Sequence, residues 1–154
     1  MQTNTTRGLS LIEIIIVVAI VGVLSAIVAV SFHTFQRQQI QKTTIDTILS
    51  SLDSARARTL SAHNSSQFGV YFSQNEVIEF EGEIYEPEAE GNFIHTLDER
   101  VTIENISLNG GGNEVVFLKL TGDTNNYGTL EIIVDGISPD KMITISGTGL
   151  VSSN

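Results

Sequence analysis

An unbroken apolar run near the N-terminus limits what this chain can fold into more than any other feature. From Ile14 to Val30 only Ser25 carries a strongly polar side chain. With residues 9–12 before it and Phe32 and Phe35 after it, the run reaches about 20 apolar positions, the length that spans a bilayer as a helix. A helix apolar on every side must be wholly buried or in lipid, and a chain of 154 residues is small to bury such a rod. A cleavable secretory signal has a similar layout, but its apolar region is normally about 7–15 residues and ends at a small-residue cleavage site. Ser25-Ala26-Ile27 and Ala29-Val30-Ser31 are poor candidates for that site. The run therefore predicts a retained transmembrane segment over residues 9–35.

Helix signals continue beyond it. Ile45, Ile48, Leu49, Leu52 and Ala55 fall on one face of a helix, with Thr44, Asp46, Thr47, Ser51, Asp53 and Ser54 mostly off that face. No Pro or Gly interrupts Val23 to Gln67, and the pattern fades at His63-Asn64-Ser65-Ser66, where Asn is a helix stop. One helix from about Leu9 to Ala62 is expected, its residues 36–63 amphipathic and so packed on one side against something.

That partner is expected in residues 64–154, which read as a β-rich head. Residues 67–73, 77–80, 101–108, 114–120, 129–134 and 142–146 alternate or run apolar at strand length. Gly-Gly-Gly at 110–112 and the clusters at 123–128 and 135–139 are turns between them. Short connections favour antiparallel pairing, so the fold class is α+β: a long N-terminal helix, then an antiparallel sheet head. The acidic stretch at residues 81–91 (EGEIYEPEAEG) is expected as a solvated loop or edge hairpin.

Charge separates the same two parts. Through Ala62 there are three acids (Glu13, Asp46, Asp53) and five bases (Arg7, Arg37, Lys42, Arg56, Arg58). The rest holds fifteen of the 18 acids and only Arg100, Lys119 and Lys141 as bases, for a net charge of −10 overall. Phosphate contacts need clustered Lys and Arg, so no direct nucleic-acid binding is expected. The absence of cysteine excludes disulfides, thiolate metal sites and cysteine nucleophiles. His33, His63 and His95 lack metal-ligand spacing and read as ordinary packing residues. Residues 123–128 faintly echo a calcium loop, but Tyr127 replaces an oxygen ligand, so a turn is expected. No cofactor site and no catalytic constellation is legible.

The informative segment is Arg7-Gly8-Leu9-Ser10-Leu11-Ile12-Glu13. Burying an ionised carboxylate in hydrocarbon costs several kcal/mol or more, so Glu13 needs a partner or a shallow position. A local account exists: Ser10-x-x-Glu13 fits a capping box, and a first-turn carboxylate complements the helix dipole.

Gly8-Leu9-Ser10-Leu11-Ile12-Glu13, followed by the apolar run and Gly22, resembles the N-terminal motif of type IV prepilins and type II secretion pseudopilins. The resemblance makes residues 1–8 a short basic leader. It implies cleavage by prepilin peptidase between Gly8 and Leu9 on the cytoplasmic side, and N-methylation of Leu9. It also implies that Glu13 pairs with the Leu9 amine of a neighbouring subunit when pilin or pseudopilin subunits assemble. Leu9 stands where Phe is common, no proline occurs near Val30, and the C-terminal cysteine pair of many major pilins is absent. More locally, 52–58 (LDSARAR), the hairpin pattern at 117–130 and the ending 141–151 (KMITISGTGLV) resemble the GspH/FimT class.

The implied function is a minor pilin or pseudopilin of a type IV pilus or type II secretion filament, a structural subunit and not an enzyme. It would be a single-pass inner-membrane protein with its head outside the cytoplasm, later part of a periplasmic or extracellular filament. The flanking charges, Arg7 and the Met1 amine against Arg37 and Lys42, are nearly balanced, so the orientation comes from the resemblance and not from the positive-inside rule. A major pilin, an unprocessed signal-anchored protein with an acidic binding head, and a membrane-tethered enzyme remain as rivals.

Overall fold

The structure is a computed structural model in which residues 10–61 and 65–154 are described, without the side chains of residues 28–31. The leader, Gly8, Leu9, and the expected helix stop at His63 and Asn64 lie outside the described residues. By backbone proximity the chain divides into two compact units, Met1–Gln36 and Arg37–Asn154.

One helix, α1, runs Leu11–Leu60. Among the described residues eight strands follow: β1 Phe68–Phe72, β2 Glu76–Glu81, β3 Phe93–Thr96, β4 Val101–Leu108, β5 Glu114–Val116, β6 Gly128–Val134, β7 Lys141–Ile145 and β8 Val151–Ser153. They form two four-stranded antiparallel sheets, ordered β3-β2-β1-β5 and β4-β6-β7-β8. The chain therefore has the α+β, pilin-like fold of one long apolar N-terminal helix followed by antiparallel sheets.

Within the second unit, helical periodicity decides which side of α1 is buried. Ile48 and Leu52 are 0% exposed and Ala55 is buried beside them. They join Phe68, Val70, Phe72, Val77 and Val115 of the first sheet, and Phe117 just beyond it, with Val101, Ile103, Leu130, Ile132, Ile143 and Ile145 of the second in one core. Alternation fits this: where the strands are regular every second residue faces α1, and in β4 a register shift between Glu104 and Ser107 interrupts it. Two expectations fail here, because Thr44 and Ser51 are buried on this face and not off it. They lie three or four residues from Ile48, within the same stripe. Thr59 closes the helix end: its hydroxyl donates to the Ala55 carbonyl at 2.9 Å and accepts from the Phe68 amide at 2.9 Å.

The β1–β2 part of the first sheet is covered on both faces. Ile78 and Phe80 point away from α1 yet are buried. The acidic loop after β2 lies over them, with Tyr85 stacked on Tyr71 at 4.1 Å and edge-on to Phe80 at 5.6 Å. The Tyr85 amide donates to the Glu114 carboxylate at 2.9 Å. Phe80 in turn requires Gly69 opposite it: a Cβ there would stand 2.6 Å from Phe80 Cζ and 2.7 Å from the Val115 carbonyl oxygen. The expected edge hairpin is thus present as β2–loop–β3, with a pinned rather than freely solvated loop.

The strand expected over 114–120 ends at Val116. Beyond the single bridge from Phe117 to Thr124, the chain folds back, with Leu118 N–H donating to the Asp123 carbonyl at 2.8 Å and Gly122 N–H to the Leu118 carbonyl at 2.9 Å. Leu120 sits at the turn with φ of 72°. The expected closing strand is two, β7 and β8, joined by a turn whose Ser146 hydroxyl accepts from the Leu150 amide at 3.1 Å. Residues 123–128 form a turn in which Thr124 Oγ1 donates to the Val116 carbonyl at 2.8 Å and accepts from the Asn126 amide at 3.0 Å.

Candidate assembly segment

The start of α1 has the backbone geometry of an N-cap at Ser10. Its carbonyl accepts from the Glu13 amide at 3.0 Å and from the Ile14 amide at 3.3 Å. Glu13 therefore occupies the first turn, where the partial positive end of the helix dipole favours a carboxylate. Neither side-chain arm of a capping box is made: among the described residues, no hydrogen bond joins the Ser10 hydroxyl to the Glu13 amide, and no hydrogen bond or ion pair joins the Glu13 carboxylate to another group. Ser10 and Glu13 are both exposed.

The turns of α1 around and beyond Glu13 are apolar and uncovered. Leu11, Ile12, Ile14, Ile15, Ile16, Val17, Val18, Ile20, Val21, Val23, Leu24 and Ile27 are all exposed. Among the described residues this is the one helix long and apolar enough to cross a membrane. In water, so many exposed aliphatic side chains would drive aggregation; about 25 cal/mol per Å2 of apolar surface favours moving them into lipid or against other apolar helices. Backbone and side-chain polarity are prepared for that environment. Helical hydrogen bonds satisfy the peptide groups internally, and Ser25, the one strongly polar side chain of the run, donates its hydroxyl to the Val21 carbonyl at 2.7 Å. Gly22 has nothing within 4 Å of where a Cβ would stand, so this chain's own packing does not require a glycine there.

Glu13 is the sequence-expected site residue that the structure describes; Gly8 and Leu9 lie outside the described residues. The head holds a second carboxylate that sequence reasoning missed. Glu79 lies on the α1-facing side of β2 with its side chain 10% exposed. Its Oε2 accepts from Ser54 Oγ at 3.0 Å and stands 3.9 Å from Arg58 Nη1. Its Oε1 lies 3.3 Å from His95 Nε2. Arg58 also lies over the Phe68 ring, 4.0 Å from its centroid. This cluster ties α1 to the first sheet, and His95, expected as a surface or interface packing residue, is half-buried within it.

Two further groups position the head's loops. Arg56 donates from Nε to the Gly122 carbonyl at 2.9 Å and from Nη2 to the Thr148 carbonyl at 3.2 Å, holding two turns against α1. Asp98 accepts from Arg100 Nε at 2.8 Å and Nη2 at 2.8 Å. Those side-chain bonds, with a backbone bond from Arg100, hold the Asp98 carboxyl below its ordinary value of 3.8, at about 2. Among the described residues no group of three or more His, Asp or Glu is placed to hold a metal ion.

Residues 3–29 match the family model for the prokaryotic N-terminal methylation motif. No curated protein and no solved structure matches the chain. The motif supports a type IV pilin-like protein, anchored by its apolar helix, and implies processing by prepilin peptidase and assembly with other pilins.

Proposed function

We propose that this chain is a minor pilin or pseudopilin, a structural subunit of a type IV pilus or type II secretion filament, of the GspH/FimT class. Prepilin peptidase cuts between Gly8 and Leu9, and the exposed Leu9 amine is methylated. Residues 1–8 are the leader, 9–35 the membrane-spanning half of the helix, 36–63 its amphipathic half and 64–154 the head. The subunit waits in the inner membrane with its head outside the cytoplasm and then enters a periplasmic or extracellular filament. The subclass rests on the LDSARAR segment and on the hairpin and closing-strand patterns of the head.

One observation carries the reading: Glu13 is a carboxylate without a partner among the described residues, at the head of an exposed apolar helix. Left alone in hydrocarbon, that charge costs several kcal/mol. An amine from the processed end of a second subunit compensates it, and both charges then share one desolvated site. A pair of this kind is costly to break by removing one partner, about 3–5 kcal/mol, so it selects the packed register of the filament. The dipole of α1 stabilises the carboxylate in the meantime.

The test replaces Glu13 by Leu or Ala. Membrane insertion is expected to be normal, since the apolar segment is unchanged or extended, while incorporation into sheared filaments falls sharply. Unchanged incorporation would assign Glu13 to local capping instead.

A further inference from the structure

The two edges of the first sheet are treated differently by the fold. In antiparallel pairs, residues that exchange backbone hydrogen bonds alternate with residues whose N–H and C=O point away. At the β5 edge the outward groups of Val116 are taken: its N–H donates to Asn126 Oδ1 at 3.4 Å and its C=O accepts from Thr124 Oγ1 at 2.8 Å. At the β3 edge the pattern is fixed by Leu97 N–H donating to the Asn75 carbonyl at 2.8 Å, in register with Thr96 opposite Glu76. Leu97, His95 and Phe93 therefore bond to β2, and Ile94 and Thr96 turn their N–H and C=O groups to the free side. No hydrogen bond to those groups is made among the described residues.

Exposed edges are usually blunted by Lys, Pro or a bulge. Phe-Ile-His-Thr has none of these, its four-residue length being its one guard against further pairing, and Phe93 and Ile94 are 59% and 53% exposed. On its α1 side, β3 borders a cleft of about 300 Å3 lined by Ile40, Thr43 and Thr47 of the helix and by His95, Leu97 and Asp98. A strand added to β3 would run along the mouth of this cleft, one spacing of about 4.8 Å outward, with alternate side chains directed into it. The surrounding charge selects the occupant. Glu83, Glu86, Glu88 and Glu90 precede β3 and Glu99 follows it, while Asp98 is already paired with Arg100; no Lys or Arg lies between Glu83 and Glu99, so the flank stays acidic. Such flanks repel another copy of this acidic head and attract a basic strand.

We propose that the free edge of β3 and its cleft are a strand-acceptor site for an extended, lysine- or arginine-bearing segment of a partner protein. Ile94 and Thr96 supply the backbone hydrogen bonds, the cleft takes an apolar side chain between Ile40 and Leu97, and the flanking acids meet the basic residues. This is β-strand addition, in which main-chain bonds give affinity and alternate side chains give specificity.

The test uses the full chain in nonionic detergent micelles, with a short blocked peptide of alternating lysine and valine as probe and its glutamate–valine counterpart as control. Amide hydrogen exchange is read residue by residue. With the basic probe at about ten times its Kd, the Ile94 and Thr96 amides slow by roughly tenfold, while Phe93 and His95, already bonded to β2, do not change. Thr96→Pro removes one outward N–H without touching a bond to β2 and weakens binding by about tenfold, with an unaltered far-UV spectrum. Thr43→Phe, at an exposed position on the cleft wall, weakens it independently should the proline variant misfold. The proposal is overturned if the basic probe leaves Ile94 and Thr96 unprotected, if the glutamate peptide protects them equally, or if they become protected on concentrating the chain alone, which would make a second copy the occupant.

Discussion

Removing the Glu79 carboxylate tests how α1 is held to the head. In Glu79→Ala the helix loses the Ser54 hydrogen bond at 3.0 Å, and the His95 contact at 3.3 Å goes with it. A hydrogen bond to a charged group contributes about 1.5–3 kcal/mol; the Ser54 bond counts in full, while the longer His95 contact is to a part-exposed ring that can turn to water and adds little. The Arg58 contact at 3.9 Å adds little, because that guanidinium is 37% exposed and can turn to water while keeping its place over Phe68. The expected loss is therefore about 2–3 kcal/mol, below the roughly 3–5 found when a fully buried partner is stranded. The assay is urea unfolding of the full chain in micelles, followed by a signal from the β-rich head. Glu79→Gln can still accept from Ser54 and is expected to lose about half as much. A double-mutant cycle should give clear coupling of Glu79 to Ser54 and little to Arg58. A loss below about 0.5 kcal/mol for Glu79→Ala, or equal coupling to both partners, would refute this account of the cluster.

Three further outcomes are expected. Leu120 is 94% exposed with φ of 72°; Leu120→Gly removes the left-handed strain and no packing, so it stabilises by about 0.5–1 kcal/mol in the same unfolding assay. Gly69→Ala forces its Cβ to 2.6 Å from Phe80 and 2.7 Å from the Val115 carbonyl, an overpacking cost of about 1–3 kcal/mol, with loss of the Tyr85–Phe80 ring contact visible by NMR. Asp98 titrates at about 2 by carboxyl NMR, against its ordinary 3.8, and returns to the ordinary range in Arg100→Ala. Because the folded value is the lower one, its contribution to stability is complete above about pH 4 and is lost as pH falls through 2.

Strong periodicity made much of the architecture legible. The apolar run and the Ile48, Leu52, Ala55 stripe announce α1, and alternation announces β6 and the first half of β4, before its register shift between Glu104 and Ser107. Where two physical signals compete, the sequence misleads. Phe117 to Leu120 continue the apolar pattern of β5, yet the fold-back through Gly122 and Thr124 ends the strand at Val116. β3 is hidden because its Phe-Ile-His-Thr is short and embedded in acids. Glu79 reads as one more solvated acid, since Ile78 and Phe80 beside it look like the buried side of a half-exposed strand. Only the loop carrying Tyr85 reveals that both faces of β2 are covered. At the N-terminus the position of Glu13 in a first helical turn is legible from Ser10 three residues before it. Its partner is not, because in this reading that group belongs to another chain.

The N-terminal mass of the chain extracted from membranes tests the central claim most directly. The account predicts a polypeptide that lacks residues 1–8 and begins at Leu9, heavier by about one methyl group on that residue. An intact Met1 in cells with an active prepilin peptidase would contradict it.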